Sequence, residues 1–211
     1  SGAIMVGLHL QLPGLRMIVT DLKGNVLEER DLFEGEVPAQ TQSITAVSEA
    51  MEEISAAYPG QRIIGIGIAS PGFIDPQTGD IITIGRVPAW SNFPFCRRLQ
   101  TAVGLPVHIA NDIDCMAFAE FEYSRQPLSQ NLVYVGFDEG VKASMYLNGE
   151  IYRGALGNAG LISSRLLRVE EGSAAPADLL SIAGVLRRFE EQLRALPEDR
   201  QKPCQNILES G

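Results

Sequence analysis

A chain of 211 residues is long enough for one large domain or two small ones with a proper hydrophobic core. With 45% apolar residues it is globular and not disordered. Its net charge of −9 argues against gripping nucleic acid through its own surface, because phosphate binding needs clustered Lys and Arg. Ordinary solubility accounts for that charge.

No apolar run approaches the roughly 20 residues of a membrane span. The three cysteines, Cys96, Cys115 and Cys204, are odd in number and form no C-x-x-C pair. They give neither a disulfide framework nor a zinc site, and a reducing, cytoplasmic setting fits them. The opening SGAIMVG lacks an initiating Met and a signal-like segment. It reads as a fusion scar ahead of a domain cut from a longer protein.

In chain order, MVGLHL (5–10) and RMIVTD (16–21) are strand-like, and Lys23-Gly24-Asn25 is turn material before a third strand. An antiparallel meander is expected. TQSITAVSEAMEEISAAY repeats Ile44, Val47, Met51, Ile54 and Tyr58 at helical spacing, and Gly60 closes that helix. RIIGIGIA (62–69) is continuously apolar and predicts a strand buried on both faces. A turn-rich loop, SPGFIDPQTGDII, leads to a short strand. FPFCRRLQTAVG (93–104) predicts a helix, PVHIA a strand and IDCMAFAEFEY a helix. Alternation after a meander implies an α/β fold with a mixed sheet and packed helices.

The polar stretch QPLSQN (126–131) marks a boundary, giving lobes 1–126 and 127–211. Beyond it, LVYVGF and KASMYL are strands, and Asn148-Gly149 is a two-residue hairpin turn into EIYRG. A glycine-rich link, GALGNAG, follows. APADLLSIAGVLRRFEEQLRAL predicts one long helix, with Pro176 in its first turn and Pro197 at its end. The remaining polar residues are expected to fray.

The pair Asn111-Asp112 stands where a short strand meets a helix. An aspartate there is a general base, a sugar ligand, a helix cap or the relic of a lost activity; position alone favours a cap on a helix beginning near Ile113.

This layout, together with several loops, resembles the ROK family of repressors, open reading frames and sugar kinases. The matching pieces are MIVTDLKGNVLEE, GIGIASPGFIDPQTGDI, PAWSNFPFCRRLQTAVGLPVHIANDIDCMAFAE, NLVYVGF and LNGEIYRGALGNAG. The resemblance implies the actin-like, ribonuclease-H-like two-lobed ATPase fold, with mixed sheets, helices on both faces and a second lobe that is either truncated or remodelled. It also implies a cleft between lobes in which Gly72, Asn111 and Asp112 bind a sugar. In kinases of that family the aspartate, here Asp112, takes the proton from the attacking hydroxyl, a role a positioned carboxylate suits.

Phosphoryl transfer rests on positioning and charge stabilisation, so the phosphate-handling parts matter. The family's first phosphate loop carries an aspartate and small residues that let backbone N–H groups reach phosphate. Here the segment is LHLQLPGLRM. His9 replaces the aspartate, Gln11 and Leu12 replace small residues, Pro13 has no N–H, and Gly14 alone remains. A lone histidine on an apolar strand is usually structural. The second phosphate loop becomes GFDEGVKAS, in which Asp138 and Glu139 would repel phosphates by a few kcal/mol each at about 4 Å, partly offset by Lys142.

After GNAG the family continues with a glutamate and then a histidine that contact the sugar, the histidine also helping to hold zinc. Leu161 and Ser164 stand there instead, and the cysteine cluster of that zinc site is absent. At about 1.5–3 kcal/mol per charged hydrogen bond, losing two contacts weakens sugar binding by about two to four orders of magnitude. Asn111-Asp112 is then half of a former site, or the site is rebuilt for a less polar ligand around Leu161 and Trp90. Trp90 is either a stacking floor or, more commonly for a lone Trp, a core residue.

These readings predict an effector-binding and oligomerisation domain of a ROK-type, sugar-responsive regulator. It has no catalytic residue beyond the remnant base candidate Asp112, and no cofactor or metal. Its partners are a small-molecule sugar or sugar derivative and a second copy in a homodimer. It reaches DNA only through a winged helix-turn-helix domain absent from these residues. The alternatives are an active ATP-dependent sugar kinase and a ligand-free interaction module.

Overall fold

The computed structural model describes residues 2–11, 13–85, 87–124, 130–137, 140–155, 157, 159–162, 167–169, 172–195 and 197. They fall into two compact units, one comprising 1–129 with 153–158 and the other 130–152 with 159–211.

The first unit is built on strands β1 (Ala3–Gln11), β2 (Gly14–Asp21), β3 (Val26–Glu34), β4 (Arg62–Ser70) and β7 (Val107–Asn111), in the order β3-β2-β1-β4-β7. The first three are the expected antiparallel meander, and β4 and β7 add in parallel to the free edge of β1. Period-2 alternation sets the register. Val6 lies opposite Val19, Leu8 opposite Met17 and Leu10 opposite Leu15, and all six are buried. A small hairpin of β5 (Phe73–Ile74) and β6 (Ile81–Thr83) carries the turn-rich loop.

Three helices complete this unit: α1 (Gln40–Ala57), α2 (Phe95–Val103) and α3 (Asp112–Tyr123). Helix α1 buries Val47, Met51 and Ile54 of the expected stripe, and Ser43 and Ala50 besides. Trp90 ends a short 3₁₀ turn and is 1% exposed. Its indole N–H donates to Pro38 O at 3.0 Å, and its ring meets Phe93 and Phe95 edge-on, with centroids at 5.6 and 5.1 Å. Trp90 is therefore a core residue and offers no stacking floor.

Strand β4 departs from expectation. Ile66, Ile68 and Ser70 are buried while Ile64 and Gly67 are exposed, so burial alternates rather than covering both faces. Over 66–70 the glycines explain part of this, since positions 65 and 67 bring no side chain to the face opposite Ile66 and Ile68.

The second unit opens with β8 (Leu132–Phe137), β9 (Val141–Leu147) and β10 (Glu150–Ile151), a meander in the order β10-β9-β8. Asn148 and Gly149 both have positive φ, 57° and 82°, the geometry of the predicted two-residue hairpin turn. Gly160 closes onto the middle of β9. Its carbonyl accepts from Ala143 N at 2.9 Å, and a Cβ there would lie 1.8 Å from Ala143 O. A further hairpin, β11 (Leu167–Val169) with β12 (Gly172–Ala174), was not foreseen.

The single long helix expected after Ala175 is in fact two, α4 (Pro176–Leu180) and α5 (Ile182–Ala195). Ser181 is extended (ψ 158°) and breaks the run. Its hydroxyl donates back to Ala177 O and accepts from Gly184 N at 3.1 Å, which caps α5. Gly184 permits the bend, since a Cβ there would lie 2.5 Å from Asp178 O. Among the described residues no helix is long and apolar enough to cross a membrane.

Candidate functional site

Three strands of the first unit end side by side. His9 of β1 is level with Ala69 of β4, Ala69 with Ala110 of β7, and Ser70 with Asn111. Ala69 and Ala110 are small residues at the carboxyl edge of the sheet, the edge at which open α/β sheets place ligands.

Asn111 ends β7 in extended conformation (φ −63°, ψ 141°) and is the N-cap of α3. Its Oδ1 accepts from Ile113 N at 3.1 Å, and its Nδ2 donates to Gly72 O at 2.8 Å. Each end of the carboxamide thus has a partner, with one N–H and one lone pair left over. The helix begins one residue earlier than expected, and the cap is Asn111. Asp112 is its first residue, where the helix dipole favours a carboxylate, and Asp112 Oδ1 accepts from Ile113 N at 2.8 Å.

Gly72 is held at φ +86°. A Cβ there would stand 2.3 Å from Thr83 O and 3.0 Å from Ile84 Cα. Only glycine fits, and its carbonyl is thereby aimed at Asn111. The following loop is fixed by Asp75, whose Oδ1 accepts from Gln77 N at 2.8 Å and Thr78 N at 3.2 Å.

His9 faces the same neighbourhood. Its Nδ1 lies 3.3 Å from Gln11 Nε2, so it accepts there in the Nε2–H tautomer. Burial pushes the imidazole below its ordinary pKa; the Asp112 carboxylate opposes that shift and Arg16, its cross-strand neighbour, adds to it. Burial likewise pushes the Cys115 thiol up to about 11, with Asp114 and Asp112 adding and Arg153 opposing. The Asp112 carboxylate therefore acts on both His9 and Cys115.

The link from β1 to β2 is short. The strands stay paired up to Gln11 opposite Gly14. Gly14 has φ +131°, and a Cβ there would lie 3.0 Å from Phe33 O. Of the second phosphate-loop position, Lys142 lies on β9 opposite Gly136, while Asp138 and Glu139 lie outside the described residues. Leu161 is exposed and Ser164 is outside the described residues.

Among the described residues no three His, Cys, Asp or Glu side chains are grouped to hold a metal ion. A depression of about 480 Å³ lies in the first unit, lined by residues such as Thr78, Arg97, Gln100 and His108. It takes in none of Gly72, Asn111 and Asp112. The sequence pointed to Asn111, Asp112 and Gly72 separately; the bond joining Asn111 to Gly72 depends on a backbone twist at Gly72 that no local pattern reports.

The sequence profile of the ROK family matches residues 6–166. The chain belongs to the ROK family. Among its relatives, a putative xylose repressor of Caldicellulosiruptor sp. is 29% identical over 159 residues, covering 74% of this chain and 40% of the relative. A glucokinase of Halalkalibacterium halodurans is 25% identical over 171 residues, covering 80% of this chain and 51% of that enzyme. The crystal structure of a ROK family transcriptional regulator, a homologue of the E. coli MLC protein, superimposes with a TM-score of 0.76 at 22% identity, over 93% of this chain and 51% of that one.

The chain thus spans about half the length, or less, of these ROK relatives. Its fold is the α/β, actin-like fold of the ROK sugar kinases and regulators. Both repressors and sugar kinases are among its relatives.

Proposed function

We propose that this chain is the effector-binding and oligomerisation part of a ROK-type, sugar-responsive transcriptional regulator without kinase activity. The observation that carries the reading is the β1–β2 turn. Gln11 pairs with Gly14 across it, Pro13 contributes no N–H, and the strand before it carries His9 and Gln11. A triphosphate cradle needs several convergent backbone amides and a carboxylate-held metal. Here Pro13 offers no N–H, and the side chain on the strand before it is the His9 imidazole, whose pKa burial lowers.

In this reading the lobes are 1–126 and 127–211, and a sugar or sugar derivative binds beside Gly72, Asn111 and Asp112. Asp112 orients a hydroxyl and has no phosphoryl transfer to assist. The net charge of −9 supports placing DNA contacts on a winged helix-turn-helix segment outside these residues. Ligand binding would act through a shift between two conformations of a homodimer. The relatives named as xylose repressors support the regulator branch.

The test pairs two measurements. Thermal unfolding is followed with a panel of sugars, amino sugars and sugar phosphates, and each is assayed for ATP-dependent phosphorylation. The expected result is a rise in melting temperature with one sugar class, lost in Asp112→Ala, and no turnover. Turnover abolished by Asp112→Asn would establish a kinase instead. Indifference to every compound would leave a ligand-free interaction module.

A further inference from the structure

We infer that His9 is a further sugar-contacting residue, which donates from its Nε2–H to the same hydroxyl that gives its proton to Asp112. This deepens the proposed sugar site and rests on that reading. His9, Ala69 and Ala110 are level across β1, β4 and β7, so their side chains stand in one row on one face of the sheet. Between the imidazole and the end of β7 that row holds two methyl groups. The face is open beside it: a Cβ at Gly67, two residues before Ala69, would meet nothing within 4 Å. The Asp112 carboxylate is near enough to His9 to pull its pKa upward against burial.

The two groups complement each other. Among the described residues His9 makes one hydrogen bond, accepting at Nδ1 from Gln11 Nε2 at 3.3 Å. That bond puts the ring proton on Nε2, available for donation. Burial lowers the pKa from 6.5, so at pH 7.5 the ring is neutral and carries one donor. A carboxylate accepts about four hydrogen bonds, so the bond from Ile113 N leaves Asp112 able to accept another. A donor and an acceptor on one open face suit a hydroxyl, which offers a proton to one and a lone pair to the other. They do not suit an anion. The carboxylate repels it, and Arg16, the cation beside His9, is held by Glu29 and Asp31 at 3.1 and 2.9 Å. The ligand therefore brings a free hydroxyl to this point and not a phosphate ester. A hydroxyl whose lone pair is tied to an N–H is also a poorer nucleophile, in keeping with a site that binds sugar without transferring phosphate.

Isothermal titration calorimetry of the full chain at pH 7.5, with D-glucose, D-xylose and the monodeoxy forms of each, tests the clamp. His9→Phe should weaken binding of the parent sugar by about threefold to tenfold, and Asp112→Ala should weaken it too. For one monodeoxy sugar neither variant should lose anything further, because the hydroxyl that both residues hold is already gone. A misfolded variant would bind every sugar less well, so this shared silent position cannot come from loss of fold. Binding indifferent to His9→Phe, or His9 and Asp112 silenced by different deoxy positions, would overturn the clamp and leave the sugar site standing. A wild-type chain that binds neither glucose nor xylose would overturn the clamp for these sugars, with the wider sugar reading still decided by the thermal-shift panel.

Discussion

The side chain of Asn111 and the backbone of Gly72 are joined by a 2.8 Å hydrogen bond that ties the end of β7 to the loop after β4. The tie exists because Gly72 adopts φ +86° with no room for a side chain. Gly72→Ala places a methyl carbon 2.3 Å from Thr83 O, so the loop must shift. The expected loss is about 2 kcal/mol or more, read as a fall of about 4–8 °C in melting temperature. An unchanged melting temperature would mean that the loop relaxes without strain.

Asn111→Asp separates the two duties of that side chain. Aspartate caps a helix as well as asparagine, so the bond from Ile113 N survives. The second oxygen, however, then faces Gly72 O where an N–H stood. A loss of about 1–3 kcal/mol is expected, close to that of Asn111→Ala, by urea denaturation. If capping were the whole role, Asn111→Asp would be neutral.

The thiol of Cys115 offers a local reading of the same site. Raised from 9.0 to about 11, chiefly by burial, it holds roughly a hundredfold less thiolate at pH 8 than an ordinary cysteine. Alkylation by iodoacetamide, followed by peptide mass spectrometry, should be slow at this position by a comparable factor. Unfolding in urea should abolish the protection.

Much of the first unit was legible in the sequence because alternation reports burial directly. Val6, Leu8 and Leu10 are buried as the pattern requires. What escaped reading depended on contacts between distant backbones. The break at Ser181 needs Gly184 to touch Asp178, and an apolar helical period runs straight through it. Gly160 closing on Ala143 is of the same kind. At the candidate site the residues were legible but their bonding was not, since Asn111 serves as cap and loop tie at once.

Gly184→Ala tests the break between α4 and α5. A methyl group there would stand 2.5 Å from Asp178 O and 2.8 Å from Asp178 C, both backbone atoms. In an ordinary helix the change is favourable by about 1 kcal/mol; here it forces α5 away from α4. A net loss of about 1–3 kcal/mol is expected by urea denaturation. Stabilisation would show that the two helices straighten into one.

His9 should make stability depend on pH below neutrality. Burial lowers its pKa in the folded chain from the ordinary 6.5, against the opposing pull of Asp112. The unfolded chain therefore binds a proton more readily than the folded one as pH falls below about 6.5. Stability is full above that value. It declines as pH drops through it and levels off once pH falls below the lowered folded pKa. His9→Asn removes this contribution, so the difference in unfolding free energy between the two proteins should vary from pH 7.5 to pH 5 and not above. Asp112→Asn takes away the charge that favours imidazolium, and should steepen the decline. A flat difference across the range would mean that His9 is as hydrated when folded as when unfolded, and would detach it from the Asp112 site.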